Sequence, residues 1–304
     1  MRAALHLAIL LLLPPLLPGI VNRVKAAFAG RRGPPVLQLY FDLWKLVRKG
    51  AVYSTATTWI FRAGPVVTVA ALLVAGLLLP FGGGLPAPAA FAGDVVLFAY
   101  LLGAGRFATV LAALDTGSSF EGMGASREVT FAALAEPALF LSIAGLALAR
   151  GTLSWTPMLS GQMPAWHSFG PAFAMLIGAL FLVALAENSR IPFDDPNTHL
   201  ELTMVHEVMV LDHCGPDFAF ILYGASIKLF LLGAVVVRLA FPFAASIPAH
   251  VALFLAGMIV FAVIVGVVES TFARLRMNRI PQILVAAGVF AALAMAVILI
   301  RVNG

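Results

Sequence analysis

The sequence predicts an all-α, polytopic membrane protein with about eight transmembrane helices and one amphipathic helix at the membrane surface. Hydrophobic residues make up 62% of the 304 positions and charged residues only 11%, far outside the composition of soluble domains. Apolar segments of about 20 residues, the length that crosses a bilayer core, recur along the whole chain. No segment between them is long enough for a soluble domain, so residues 1–304 are expected to form a single membrane domain.

The first predicted span is the least regular of the set. The spans cover residues 3–21, 63–83, 91–114, 129–149, 170–187, 217–239, 248–268 and 281–300. Pro14, Pro15 and Pro18 interrupt the first of them. Its basic start, apolar run and Ala-rich continuation also resemble a cleaved signal peptide. Arg23 and Lys25 directly after the apolar run favour a retained span, because cleavage regions are rarely basic.

Segment 34–50 predicts an amphipathic helix in the first long loop. Gln38, Asp42, Lys45 and Lys49 recur at helical spacing, and apolar residues fill most positions between them. Such a helix is expected to lie in the plane of the membrane interface. Periodicity alone leaves open whether it only anchors the chain to lipid or also contacts a partner.

The placement of Lys and Arg predicts the orientation of the chain. Of the 19 basic residues, 13 lie in or beside the loops of one membrane face and four on the other, and two lie inside spans. Short cytoplasmic loops carry the excess of positive charge in membrane proteins. Both termini are therefore expected outside, with the loop 187–216 on the cytoplasmic side.

The loop 187–216 concentrates the titratable groups of a chain that has few. They are Glu187, Asp194, Asp195, Glu201, Glu207 and Asp212 with His199, His206 and His213. Turn residues in IPFDDPN end the preceding helix, and segment 198–213 then predicts one further helix with the histidines on one stripe. A spacing of seven residues is a rise of about 10.5 Å, too far for one metal ion. We therefore expect no metal here, and a surface that titrates near neutrality against a peripheral protein; a solvated polar loop is the alternative.

The clear cases of ionisable residues inside predicted spans are Arg106, Glu136 and Lys228. A charge at such a depth costs about 2.5 to 3.5 kcal/mol on insertion scales, so it usually faces a polar cavity or a partner. Glu128 lies eight residues before Glu136, about 80° around the helix, which places the two on a loose stripe. The carboxylates of this group are Asp115, Glu128, Glu136 and Glu187. The pattern favours a proton or ion pathway, with structural ion pairs between helices as the alternative.

Cys214 is the only cysteine. An iron–sulfur cluster held by about four thiolates is therefore excluded within this chain. Any redox centre would have to lie on a partner protein.

Four motifs resemble, in order along about 250 residues, the membrane subunit that anchors the peripheral arm of respiratory complex I, known as subunit 1. They are GRRGPPVLQLYFDLWKL (30–46), GASREVTFAALAEP (124–137), ENSRIPFDDPN (187–197) and RLRMNRIPQ (274–282). Segments 114–128 and 194–213 are more similar to the membrane subunit of energy-converting [NiFe] hydrogenases, including formate hydrogenlyase and hydrogenase-4. Complex I subunits more often carry a Glu-rich run leading to Glu-Tyr-Ser where this chain has HEVM.

The resemblance implies a membrane-anchoring and ion-coupling subunit of a hydrogenase complex in the bacterial or archaeal cytoplasmic membrane. The implied partners are the hydrogenase large and small subunits, iron–sulfur subunits, antiporter-like membrane subunits and the lipid bilayer, with no nucleic acid. The [NiFe] centre and the iron–sulfur clusters would lie on those partners. The alternatives are the quinone-binding subunit 1 of complex I, an independent secondary ion transporter, and a passive anchor.

The resemblance also implies two groups of site residues and no catalytic or metal-binding residue. The proton or ion pathway would use Asp115, Glu128, Glu136, Glu187, Glu201, Glu207, His206, Arg106 and Lys228. The interface with the peripheral module would use Arg190, Asp194, Asp195, His199, Asp212, His213, Gln38, Asp42, Lys45, Arg274 and Arg276.

Overall fold

A computed structural model describes residues 2–82, 86–160, 163–194, 204–241 and 247–303, and over these ranges the chain is a bundle of helices. The helices are α1 Arg2–Leu12, α2 Leu16–Phe28, α3 Gln38–Val47, α4 Trp59–Leu78, α5 Asp94–Asp115, α6 Ser119–Arg150, α7 Trp155–Leu159, α8 Met163–Glu187, α9 Gly215–Ala240, α10 Ile247–Thr271 and α11 Ile280–Asn303. The predicted site residues Asp195, His199 and Glu201 lie outside the described residues.

Seven of the described helices are long and apolar enough to cross a membrane, namely α4 to α6 and α8 to α11. The pair α1 and α2 forms an eighth span when taken together, although the two are bent by 43°. Pro14 and Pro15 lie at this bend, as expected of residues that cannot continue a helical hydrogen-bond ladder. The prediction of an all-α multi-pass membrane protein is confirmed.

Several connecting segments meet at one end of the bundle, which we call the loop end. It comprises segments 29–37, 48–58, 188–194, 204–214 and 272–279. The long helices pack as a few close pairs, with α4 against α5 and α9, α6 against α8 and α11, and α2 against α10. The loop segments close over the space between these pairs, which positions the site described below.

The predicted amphipathic helix is present as α3, within the expected segment 34–50. Phe41 and Trp44 are exposed on its outer side, by 59% and 63%. On the inner side Gln38 donates a hydrogen bond to Asp42 over 2.9 Å. The apolar face therefore points away from the bundle, as expected of a helix that lies against lipid, and the polar face lines a cavity.

The prediction of one helix over 198–213 is wrong for the part that the structure describes. Between Met204 and Gly215 the chain forms only a 3₁₀ turn, Glu207–Val210. Buried apolar residues follow one another directly here, at Met204 and Val205 and again from Val208 to Val210. These side chains pack against α5 and α6, so tertiary contacts rather than helical periodicity set the conformation of the segment. The segment is instead wedged between neighbouring helices, and His206 and His213 do not share a helical stripe.

Candidate functional site

Arg106 of α5 lies at the centre of a cluster of charged side chains, which we call the Arg106 cluster. It comprises Arg106, Lys228, Glu128, Glu136 and Glu187, from α5, α6, α8 and α9. The Arg106 guanidinium donates to Glu187 Oε2 over 2.5 Å and also donates to Glu136. Its Nε lies 3.7 Å from Glu128 Oε1. The structure thus brings together five of the residues that the sequence assigned to an ion pathway.

Glu187 is shared between two cations. Lys228 Nζ lies 2.8 Å from its Oε2, and Arg106 contacts both of its carboxylate oxygens. The Glu187 side chain is only 3% exposed. A buried carboxylate needs such partners, because the desolvation of an unpaired charge costs several kcal/mol. Glu187 is the last residue of α8, so this ion triad joins the membrane bundle to the loop that follows.

A cavity of about 770 Å³ opens beside this cluster, between α4, α5 and α9. We call it the charged cavity. Arg106, Glu128, Glu187 and Lys228 line it together with His206. Its other walls are mainly apolar residues of the three helices. The geometry concentrates ionisable groups in a space large enough to hold water within the bundle.

A second cavity of about 990 Å³, the loop cavity, lies between α2, α3, α9 and the loop segments. Gln38, Asp42, Arg190, Asp194 and Glu207 line it. The two cavities share the lining residues Asn188, Ser189, His206 and Ala225. A thin wall of four residues therefore separates the polar inner side of α3 from the Arg106 cluster.

Ser189 forms part of that wall in an uncommon backbone conformation. Its φ of +48° lies in the left-handed region, which a residue with a Cβ adopts at some cost. Ser189 also lines a third, smaller cavity of about 370 Å³, which contacts Glu128 and Asp194. The sharp turn after α8 thus brings all three cavities to one point.

Two ion-pair systems hold the segment 190–194 in place. Arg190 Nη1 lies 3.2 Å from Glu269 Oε1, and Lys25 of α2 pairs with the other Glu269 oxygen over 2.8 Å. Asp194 pairs with Arg274 over 2.7 Å. It also accepts hydrogen bonds from the backbone N–H groups of residues 205 and 206, over 2.9 and 3.4 Å. The sequence reasoning missed Glu269, although its position as the sole acidic residue after residue 217 was an available signal.

Other predicted residues lie away from the Arg106 cluster. Asp115 caps α4 instead: it accepts hydrogen bonds from the Thr58 N–H and hydroxyl groups over 2.6 and 2.8 Å and from the Phe61 N–H over 3.3 Å. Asp212 donates through its backbone N–H to Glu121, a buried carboxylate that the sequence reasoning also missed. Lys45 and Arg276 are exposed at the loop end.

His213 is buried at the rim of the charged cavity. Its ring stacks on Phe61 with centroids 3.9 Å apart and planes 6° apart. Burial lowers the pKa of His213 below its ordinary value, and the nearby carboxylates of Asp217 and Asp212 oppose that shift. His206, in contrast, lines both cavities. Within the described ranges, no three His, Cys, Asp or Glu side chains gather as a metal-binding group.

Comparison with known proteins gives consistent relatives. The model of the NADH dehydrogenase family matches residues 1–300. Hydrogenase-4 component C of Escherichia coli is 33% identical over 273 residues, which cover 88% of this chain and 85% of that protein. Formate hydrogenlyase subunit 4 of the same organism is 32% identical over 302 residues, 94% of each chain. NADH-ubiquinone oxidoreductase chain 1 of Triticum aestivum is 28% identical over 245 residues, 76% of this chain and 74% of that one.

A solved structure shares the fold over nearly its whole length. A chain of the membrane-bound sulfane sulfur reductase, an archaeal respiratory membrane complex, superposes with a TM-score of 0.85 at 21% identity, covering 98% of both chains. The family match and the two relatives above 30% identity extend over the same helices that hold the Arg106 cluster. The chain therefore belongs to the NADH dehydrogenase subunit 1 family.

Proposed function

We propose that the protein is the membrane-anchoring and ion-coupling subunit of a membrane-bound [NiFe]-hydrogenase complex of the formate hydrogenlyase or hydrogenase-4 kind. Similarity to hydrogenase-4 component C and formate hydrogenlyase subunit 4 supports this choice. The redox chemistry, with its [NiFe] centre and iron–sulfur clusters, would take place on peripheral partners. The loop end would face the cytoplasm and bind those partners, with both termini outside the cytoplasmic membrane.

The observation that carries the proposal is the ion triad of Glu187 with Arg106 and Lys228. Glu187 begins the loop that would contact the peripheral module, and its two cations lie on membrane helices. A change of charge or position in the loop would weaken the attraction between Glu187 and these cations. Glu128 and Glu136 already contact Arg106, so they would take over its charge.

This competition links the loop to proton or ion movement through electrostatics. When Arg106 pairs more strongly with Glu128 and Glu136, its guanidinium stabilises negative charge at these two carboxylates; when it returns to Glu187, they lose that stabilisation. Driving one charge across 100 mV requires about 2.3 kcal/mol. The strength of ion pairs in a partly dry site is large enough to supply that amount.

The runner-up is the quinone-binding subunit of complex I. Its supporting observations are the 28% identity to NADH-ubiquinone oxidoreductase chain 1 and the loop cavity of about 990 Å³ behind α3. The walls of the loop cavity combine apolar side chains, such as Leu39 and Leu222, with a few polar groups, as ligand sites do. The purified complex should therefore be assayed for bound quinone.

Purification in mild detergent distinguishes these functions. We expect hydrogenase and iron–sulfur subunits to co-purify, with nickel present and no activity that depends on quinone. Bound quinone with quinone-dependent turnover and no nickel would support the complex I alternative. Ion flux by the isolated chain in liposomes would support an independent transporter.

Glu187→Gln tests the coupling role directly. In the complex reconstituted into liposomes we expect redox turnover to continue while the number of ions moved per turnover falls at least about tenfold, because neutral Gln cannot hold two cations in place. Asp94→Asn is the matched control. It also replaces a buried carboxylate by an amide, but at the start of α5, away from the Arg106 cluster. Unchanged coupling in Glu187→Gln would favour the passive anchor.

A further inference from the structure

Glu136 lies deep in the membrane and yet faces outwards. It is 17 residues from the start of α6 and 14 from its end, or about 25 and 21 Å along the helix axis. Its side chain is nevertheless 42% exposed, whereas that of Glu187 in the same cluster is 3% exposed. A carboxylate at the middle of a spanning helix thus reaches the outer surface of the bundle.

The charge of the Arg106 cluster is not balanced by the described residues. Three carboxylates meet two cations, and Glu136 is the carboxylate at the outer edge. One of its oxygens accepts from Arg106, and no described residue donates to the other. A charge exposed to hydrocarbon is costly, so it usually faces a partner or a polar cavity. Lipid headgroups lie too far from this depth to supply a donor.

The surface around Glu136 has the shape of a helix-packing site. Ala133 and Pro137 are exposed beside it on α6, and Ala104 is exposed on the neighbouring α5. Two large residues, Phe140 on α6 and Phe107 next to Arg106 on α5, are exposed by 50% and 64%. Small residues let two membrane helices approach closely, and association within lipid depends on such packing and on polar contacts.

We propose that this face of α5 and α6 docks a transmembrane helix of a neighbouring membrane subunit, and that this helix presents a Lys, Arg or His side chain to Glu136. The cation would neutralise the excess negative charge and donate to the free oxygen of Glu136. A second copy of this chain fits less well, because a symmetric contact would place two Glu136 carboxylates near each other. The inference rests on the proposed function, since it requires a complex with several membrane subunits.

Site-specific photo-crosslinking in the intact complex identifies the occupant of this face. A benzophenone side chain at Phe140 lies one helical turn from Glu136. We expect an adduct with a different membrane subunit, on a peptide that carries Lys, Arg or His within a span. The same probe at Ile264, exposed on α10, reports the background of collisional adducts. Adducts at Phe140 with lipid alone, or with a second copy of this chain, would overturn the inference.

Substitution then tests the role of the charge. Glu136→Gln should weaken one charge-assisted hydrogen bond to the crosslinked subunit. The fraction of complex that has lost this subunit should therefore rise about tenfold. Thr130→Val is the control on the same helix, because Thr130 is exposed about 120° around α6 from Glu136 and its hydroxyl bonds only within the helix. Equal retention of the subunit in Glu136→Gln and Thr130→Val would count against a charged contact.

Failure of this inference can be told apart from failure of the proposed function. If hydrogenase subunits co-purify and Glu187→Gln uncouples the complex, but no crosslink forms at Phe140, only the docking face is refuted. If no other subunit co-purifies and the isolated chain conducts ions, the proposed function itself is refuted.

Discussion

Glu269 offers the sharpest test of how the loop end is held together. Its side chain is fully buried, accepts a hydrogen bond from Arg190 and forms an ion pair with Lys25, which lies on a different segment. Glu269→Ala removes the only anion that these contacts place between the two cations. The change should loosen the segment 190–194, which leads from Glu187 to Asp194.

The contacts set the expected magnitude. Removing one partner of a buried ion pair costs about 3 to 5 kcal/mol. Lys25 is 23% exposed and Arg190 14%, so water can reach both cations and the cost should lie near the lower limit. At roughly 2 to 4 °C per kcal/mol for a chain of this size, about 3 kcal/mol lowers the midpoint of thermal unfolding by about 6 to 12 °C.

Thermal unfolding of the purified complex in mild detergent measures this effect, and hydrogen exchange of the peptide 188–194 reports whether the loop has loosened. Glu269→Gln should be milder, because an amide oxygen still accepts from Arg190. Arg32→Ala, which changes an exposed cation at the same end, should fall within about 0.5 kcal/mol of wild type. A midpoint for Glu269→Ala within about 2 °C of wild type, with unchanged exchange, would refute the view that Glu269 fixes the loop.

Two further predictions follow from packing and burial. Gly124→Ala should destabilise the protein by about 1 to 3 kcal/mol, because its Cβ would lie 2.3 Å from Val208 Cγ1 and 3.0 Å from the Val205 carbonyl oxygen. Gly122→Ala on the same helix meets nothing within 4 Å and should be neutral or stabilising in the same unfolding assay; equal effects of the two would contradict this packing. Burial lowers the pKa of His213 from its ordinary value of 6.5, so the folded state favours the neutral ring. The contribution of this neutral ring to stability is therefore complete above pH 6.5 and is lost as the pH falls below that value. Unfolding midpoints between pH 8 and pH 5 should therefore fall less in His213→Gln than in wild type, and an identical pH dependence would show that His213 is not involved.

Much of the architecture follows from local sequence properties. Long apolar segments have to become helices in a bilayer, because every backbone N–H and C=O group there needs a partner within the segment. The Gln38–Asp42 spacing likewise predicts α3, and the prolines predict the bend between α1 and α2. Single buried charges such as Arg106 and Lys228 are conspicuous in apolar segments, so the sequence also identified most of the cluster.

The loop segments were harder to predict because their conformation depends on distant partners. The apolar residues between Met204 and Val210 have a composition compatible with a helix, but the cleft that buries them is built by α5 and α6. Asp115 is a further example: its acidity in the sequence indicates a titratable group, and only the neighbouring α4 makes it a helix cap. Glu269 lies just beyond the predicted span 248–268, where a surface position is the simplest expectation.

The sequence by itself determined the membrane environment, the number and approximate bounds of the spanning helices, and the identity of the charged residues that a membrane helix would not contain without a partner. It did so because these properties depend on composition and on spacing within a segment. The tertiary structure alone decided which charges meet: that Arg106 contacts three carboxylates, that Glu187 joins two cations, that Glu269 pairs with Lys25 and Arg190, and that Glu136 faces outwards. These pairings join residues from different helices, and only the packing of those helices sets the distances between their charges.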